Sequence, residues 1–283
     1  MKARKANLAG SWYPGSASGC EEEIKGFLQE YDTTTLSNRP LTGGIVPHAG
    51  WYYSGSIACN VIHCLMEAEP PDVIIVFGMH LHTQSPAYIM IDGAWETPFG
   101  DIRIESELAG ELAEQFPFTI ENAASYTQDN TIELQLPFIK YFFRDTKIVP
   151  MGVPPVTSSL AIGEAAAEIA SRLGLRVKVL GSTDLTHYGS NYGFVTQGTG
   201  PKALDWVVNE NDRRVIEAML DMDPESVIHE AVTSHNACCG GAAATAIAAA
   251  KALGAEHAES IAYATSYDKS PGNSFVGYVG IVF

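Results

Sequence analysis

The chain has 283 residues, of which 46% are hydrophobic and 18% charged, a balance that fits a compact globular fold rather than a disordered chain. Its net charge of −16 argues against nucleic acid and against anionic membrane surfaces, since both favour basic patches. No apolar stretch reaches the roughly 20 residues of a bilayer span, no long apolar segment follows the basic Met1–Lys5, and the five cysteines (Cys20, Cys59, Cys64, Cys238, Cys239) show no framework spacing, so a reduced, cytoplasmic protein is expected.

In chain order, the first candidate strand, Gly44–Pro47, ends in His48, turns through Gly50 and opens a helix at 55–67. That puts an imidazole at the carboxyl end of a strand, where open α/β sheets keep their binding crevices. The second strand, Val73–Gly78, is apolar without alternation, as a strand covered on both faces should be. It runs out into His80 and His82. In an extended chain residues two apart share a face, so both imidazoles are expected to point into one crevice. Histidine is the commonest metal ligand and a general base near neutral pH.

A strand at Ala87–Ile91 and a helix at 106–116 follow. Asn130 with Glu133 reads as a capping box opening a helix over 131–143. After the strand Lys147–Val153, an alanine-rich helix spans 158–173, behind Ser158, and stops at Gly174, which suits the position after the last turn. The strand Val177–Gly181 leads into Ser182-Thr183-Asp184-Leu185-Thr186-His187. Asp184 and His187 lie three apart, which in a turn lets a carboxylate orient an imidazole and raise its basicity.

Helices are expected over 202–221, 225–233 and 241–253, and strands at Ile261–Thr265 and Phe275–Phe283. His235-Asn236-Ala237-Cys238-Cys239-Gly240 leads into the helix at 241–253, and the free N–H groups of a helix start favour a thiolate. No linker and no internal repeat divides the chain. One α/β domain over 1–283, with a central, mostly parallel sheet flanked by helices, is the expected fold. Glycine-rich nucleotide loops, GxSxG and HExxH are all missing from the sequence.

Taken together, these residues resemble the Memo-like family, also called AmmeMemoRadiSam system protein B. The resemblance runs nearly end to end: Ala9-Gly10-Ser11-Trp12-Tyr13, Pro47-His48-Ala49-Gly50, Ala94-Trp95-Glu96-Thr97-Pro98, Asp129–Glu133, Leu136-Pro137-Phe138, Thr183-Asp184 with His187, His235-Asn236 with Cys239-Gly240, and Phe275-Val276-Gly277-Tyr278. It implies a fold like that of the class III extradiol dioxygenases and a metal site of two histidines and a cysteine. Carried onto this chain, the ligands are His48, either His80 or His82, and Cys239. The family's second histidine falls three residues past the strand-end glycine, at Leu81 here, and Asn130 stands where the family commonly has histidine.

Two imidazoles and a thiolate suit iron, copper or zinc better than magnesium or calcium. One reading is therefore a non-haem metal oxidoreductase, dioxygenase-like, acting on a small or aromatic substrate. Iron or copper is favoured there and zinc is the other candidate. His187, oriented by Asp184, would move the proton, with Trp51, Tyr52, Tyr188, His235 and Glu133 around the pocket. The alternative is a non-catalytic adaptor that holds a peptide or small ligand. The resemblance implies radical-SAM and AMMECR-type partners for it. Metal-dependent hydrolysis through zinc-bound water is the third.

Overall fold

The computed structural model describes residues 2–31, 33 and 40–283. Its strands are β1 (Ala3–Arg4), β2 (Gly43–Val46), β3 (Val73–Gly78), β4 (Ala87–Met90), β5 (Ala94–Trp95) and β6 (Ile102–Arg103), then β7 (Phe118–Glu121), β8 (Lys147–Gly152), β9 (Val177–Ser182), β10 (His187–Tyr188), β11 (Glu259–Thr265) and β12 (Phe275–Val282). Nine of them form one sheet in the order β10-β12-β2-β9-β3-β8-β4-β7, with β11 also paired to β12; β1, β5 and β6 form a small separate sheet. The centre, β2-β9-β3-β8, is parallel. The strands outside it join antiparallel, at β12 on β2 and β4 on β8, so the sheet as a whole is mixed. All six residues of β3 are buried, which is why its sequence shows no alternation.

The helices are α1 (Ala17–Phe27), α2 (Trp51–Cys64), α3 (Ser106–Gln115), α4 (Asn130–Glu133), α5 (Leu136–Phe142) and α6 (Leu160–Arg172), followed by α7 (Pro201–Trp206), α8 (Asp212–Leu220), α9 (Pro224–Ser234), α10 (Gly240–Ala252) and α11 (Ser266–Lys269). Two glycines fix how closely the main helices dock. A Cβ on Gly44 would strike Val61 of α2, and one on Gly181 would meet the α10 backbone 2.9 Å away at Ala242 and Ala243. Gly181 pairs with Ile45, which neighbours Gly44, so the two glycines lie on opposite pleats. Hence α2 and α10 cover opposite faces of the sheet. The alanine run of α10 lets it approach that closely, and its residues Gly240–Ala250 are all buried.

Several expected elements come out differently. The helix over 55–67 starts earlier, at Trp51, directly after Gly50. The helix over 131–143 is two, α4 and α5, because Pro137 has no N–H to give the Glu133 carbonyl one turn back. The stretch 202–221 holds a π-helical turn, Val207–Asn211, between α7 and α8. At the start of α4 the cap is Asp129, whose carboxylate accepts from Thr131 N, and not Asn130. Glu133 completes no capping box; it is buried and accepts hydrogen bonds from Leu8 N and the Tyr13 hydroxyl. Among the described residues no helix is long and apolar enough to cross a membrane.

Candidate metal centre

The carboxyl ends of β2, β3 and β9 converge on the start of α10. His48 follows β2, His80 follows β3, Thr183 and Asp184 follow β9, and Cys238 and Cys239 precede α10. The ligand atoms of His48, His80, Cys238 and Cys239 all lie within 4.8 Å of one another. Cys238 Sγ is 3.2 Å from His48 Nε2 and 3.8 Å from Cys239 Sγ. The two imidazole rings meet edge to face with centroids 4.9 Å apart.

Each histidine is held by its other nitrogen. Ser182 Oγ gives its one hydrogen to the Thr131 carbonyl at 2.7 Å, so it must accept from His48 Nδ1 at 3.0 Å. His80 Nδ1 lies 3.2 Å from Asp129 Oδ2, a pure acceptor when ionised. Both rings are therefore anchored as Nδ1–H donors and turn Nε2 towards the thiols. A metal-binding histidine is held in the same way, its outer N–H tied to an acceptor. The loop is pinned as well: His48 N donates to Asp184 Oδ1, the Asn130 amide donates to the His48 carbonyl, and Cys239 N donates to Thr183 Oγ1.

Charge follows from this packing. Burial disfavours a His48 cation, but Asp184 and Cys238 outweigh it and hold its pKa above the usual imidazole value. Burial also acts against His80, yet the hydrogen bonds to Asp129 and Cys238 raise its pKa to about 10. Burial would raise Asp129, but His80 and Thr131 bring it down to about 2. For Cys238 burial is overcome by the Cys239 thiol and both imidazoles, so its thiol sits well below its ordinary value, while burial and the neighbouring Cys238 push Cys239 up. Burial also raises Asp184, against the pull of His48.

Two cavities open on this cluster. One, of about 600 Å³, is lined by His82, Leu185, Phe194, Val232, His235 and Cys238 among others. The second, of about 650 Å³, is lined by Trp12, His48, Tyr52, Asn130, Asp184 and Tyr278 among others. His80, His187 and Tyr192 line both and so form the partition between them.

The sequence-derived candidates divide accordingly. His48, His80 and Cys239 come together. His82 does not join them: Met79 takes a left-handed conformation (φ 70°) that turns the chain out of the strand, and His82 N is bonded to Ser85 Oγ. His80 and His82 do line one cavity, as expected, but only His80 reaches the cluster. Asp184 does not orient His187. Its carboxylate is bonded to His48 N, and His187 Nδ1 lies 3.1 Å from the Leu185 carbonyl, an acceptor, while Nε2 has no hydrogen-bond partner among the described residues.

Tyr52 and His235 line one or other of these two cavities, but Trp51, Tyr188 and Glu133 line neither. Trp51 stacks on Phe138 in the core at 4.1 Å and donates to the Leu134 carbonyl. Tyr188 is fully buried in a separate cluster with Phe275 and bonds the Gly198 carbonyl. Glu133 holds the N-terminal segment, as above. Cys238, Asp129 and Ser182 were not singled out as site residues from sequence. Only the adjacent cysteines gave a signal, and it named the second of the pair.

A family model described as Memo-like protein matches residues 4–282. The chain belongs to the Memo-like protein family. A MEMO1 family protein of Pyrococcus furiosus is 34% identical over 99% of this chain and 98% of its own length. One from Nitrosopumilus maritimus is 31% identical over 99% of both chains. This Memo-like protein also shares its fold with an uncharacterized Escherichia coli K12 protein of known crystal structure. The TM-score is 0.54 at 12% identity, covering 86% of this chain and 99% of that one. At that identity the likeness speaks for the fold alone.

Proposed function

We propose that this Memo-like protein is a metal-dependent oxidoreductase acting on a small or aromatic substrate, with the metal among His48, His80 and the cysteine pair. The observation that carries this reading is the position of the cluster. It lies where two open cavities of about 600 and 650 Å³ share a wall, which is room for an organic ligand on either side. Iron, copper and zinc all suit imidazole with thiolate, and iron or copper fits oxidoreductase chemistry. When bound, such a metal supplies Lewis-acid polarisation and, for iron or copper, one-electron exchange.

The chain's own residues supply the rest. His187 Nε2, without a hydrogen-bond partner among the described residues while Nδ1 is tied to Leu185, accepts a proton from a ligand in either cavity. Asp184 is buried beside His48 and holds that loop. Tyr192 packs edge-on against the His187 ring, with centroids 5.0 Å apart, and limits how the imidazole can turn.

The test is oxygen uptake by iron- or copper-loaded protein across a panel of catechol-like compounds, beside His187→Ala. Turnover in the wild type and a loss of about a hundredfold or more in the variant are expected. No uptake across the panel would sink the reading. A second reading rests on Trp12, Tyr52 and Tyr192, exposed aromatics that all line the second cavity. They suit a binding role in which the same pocket holds a peptide or docks a radical-SAM or AMMECR-type partner. A partner recovered by wild type and lost on Tyr52→Ala would favour it.

A further inference from the structure

The cysteine pair raises a question that two histidines and one thiolate leave open, namely what the second sulfur does. Consecutive side chains of an extended chain point to opposite sides. Here the chain bends into α10 at Cys239 (φ −126°, ψ 50°), and both sulfurs face the same space, 3.8 Å apart. Two sulfurs bound to one tetrahedral zinc, each at about 2.3 Å, lie about 3.8 Å apart, and a sulfur–nitrogen edge is about 3.5 Å. The Cys238 Sγ to His48 Nε2 separation is 3.2 Å, and all six separations within the four donors stay under 4.8 Å. The two separations at Cys238 are thus close to the edges of such a tetrahedron, and all four donors stand near enough to share one ion.

Cys239 packs at the edge of the hydrophobic core, but its sulfur has little other polar company. It is 3% exposed, its backbone N–H is bonded to Thr183 Oγ1, and its sulfur has Cys238 as its only hydrogen-bond partner among the described residues. It lines neither cavity, whereas Cys238 and His48 each line one. From this geometry we infer that both cysteines bind the metal, so that this chain carries a closed, four-coordinate His48–His80–Cys238–Cys239 site of the kind that suits zinc or copper. A tetrahedral set of two sulfurs and two nitrogens is the donor pattern of zinc, and thiolates also favour Cu(I). A cavity ligand reaches such a metal only by displacing a protein donor. Cys238 is the sulfur it would meet, with Cys239 keeping its hold from beneath.

The inference rests on the proposed metal site but fails separately from it. The test is X-ray absorption at the zinc edge of the full chain, stripped by chelation and reloaded with zinc, together with cobalt substitution and a chelator-competition affinity. Two sulfurs at about 2.3 Å with two nitrogens, and the intense visible bands of tetrahedral cobalt, are expected in the wild type. Cys239→Ser should lose one sulfur from the count and bind zinc at least tenfold more weakly. One sulfur in the wild type, with affinity and cobalt spectrum unchanged in Cys239→Ser, overturns the fourth donor and leaves the three-ligand site standing. Failure of the wild type to take up any metal overturns both. The sulfur count of the wild type needs no variant, so it decides the matter even if Cys239→Ser does not fold.

Discussion

A proton and a metal ion compete for the same atom at His80. Its Nδ1 is committed to Asp129, so a metal must take Nε2, and the ring's pKa is raised to about 10 from the usual 6.5. Metal binding must therefore release that proton across the neutral range. The affinity of the site for zinc should keep rising with pH from about 6.5 towards 10, where an ordinary histidine ligand would level off just above neutrality. Chelator competition at a series of pH values measures this, and a plateau by pH 8 would contradict it. The same pair gives the metal-free fold a signed pH dependence. The raised His80 stabilises it fully below 6.5, and that contribution is lost as pH rises through about 10. The lowered Asp129 stabilises above 3.8 and loses its contribution as pH falls through about 2. Asp129→Asn should remove the Asp129 contribution and reduce that of His80, leaving the part due to Cys238.

Elements matter here because the site is built from their ends. β9 and α10 each bring part of it, and they touch through Gly181 and the alanine face, where a Cβ has only 2.9 Å to the helix backbone. Gly181→Val should wedge α10 off the sheet at a cost of about 1–3 kcal/mol, as overpacking does. Because Cys239 precedes the first turn of α10, the same change should weaken metal binding while leaving His80 in place. Denaturant unfolding and zinc competition on one sample separate the two effects; unchanged stability would mean that this contact is slack. The long apolar runs showed the core strands clearly. The short strands β1, β5, β6 and β10, two residues each, carry no periodicity to read. α1 does leave a legible signature, since Ser16 caps it and Cys20, Ile24 and Phe27 recur at helical spacing on its buried side.

At the scale of the whole molecule, the parallel centre of the sheet puts three strand ends at one edge, and the site assembles there from residues 48 to 239. His48 could be read from the sequence because it directly follows an apolar run. The choice between His80 and His82 could not, because it depends on the left-handed turn at Met79, which is set by Thr131 bonding Met79 N across the fold. Asp129 and Ser182 hold the rings through contacts 49 and 134 positions away in sequence, and no local spacing announces such partners. The adjacent cysteines were visible, but which sulfur faces His48 depends on the bend into α10.

The central claim is that this cluster binds a metal. The direct measurement is the metal content of the protein purified anaerobically without a chelating tag, beside His48→Ala and Cys238→Ala. Stoichiometric metal in the wild type, lost in both variants while the fold persists by circular dichroism, is the predicted result. A wild type that stays metal-free after reloading, or variants that keep their metal, would contradict the account.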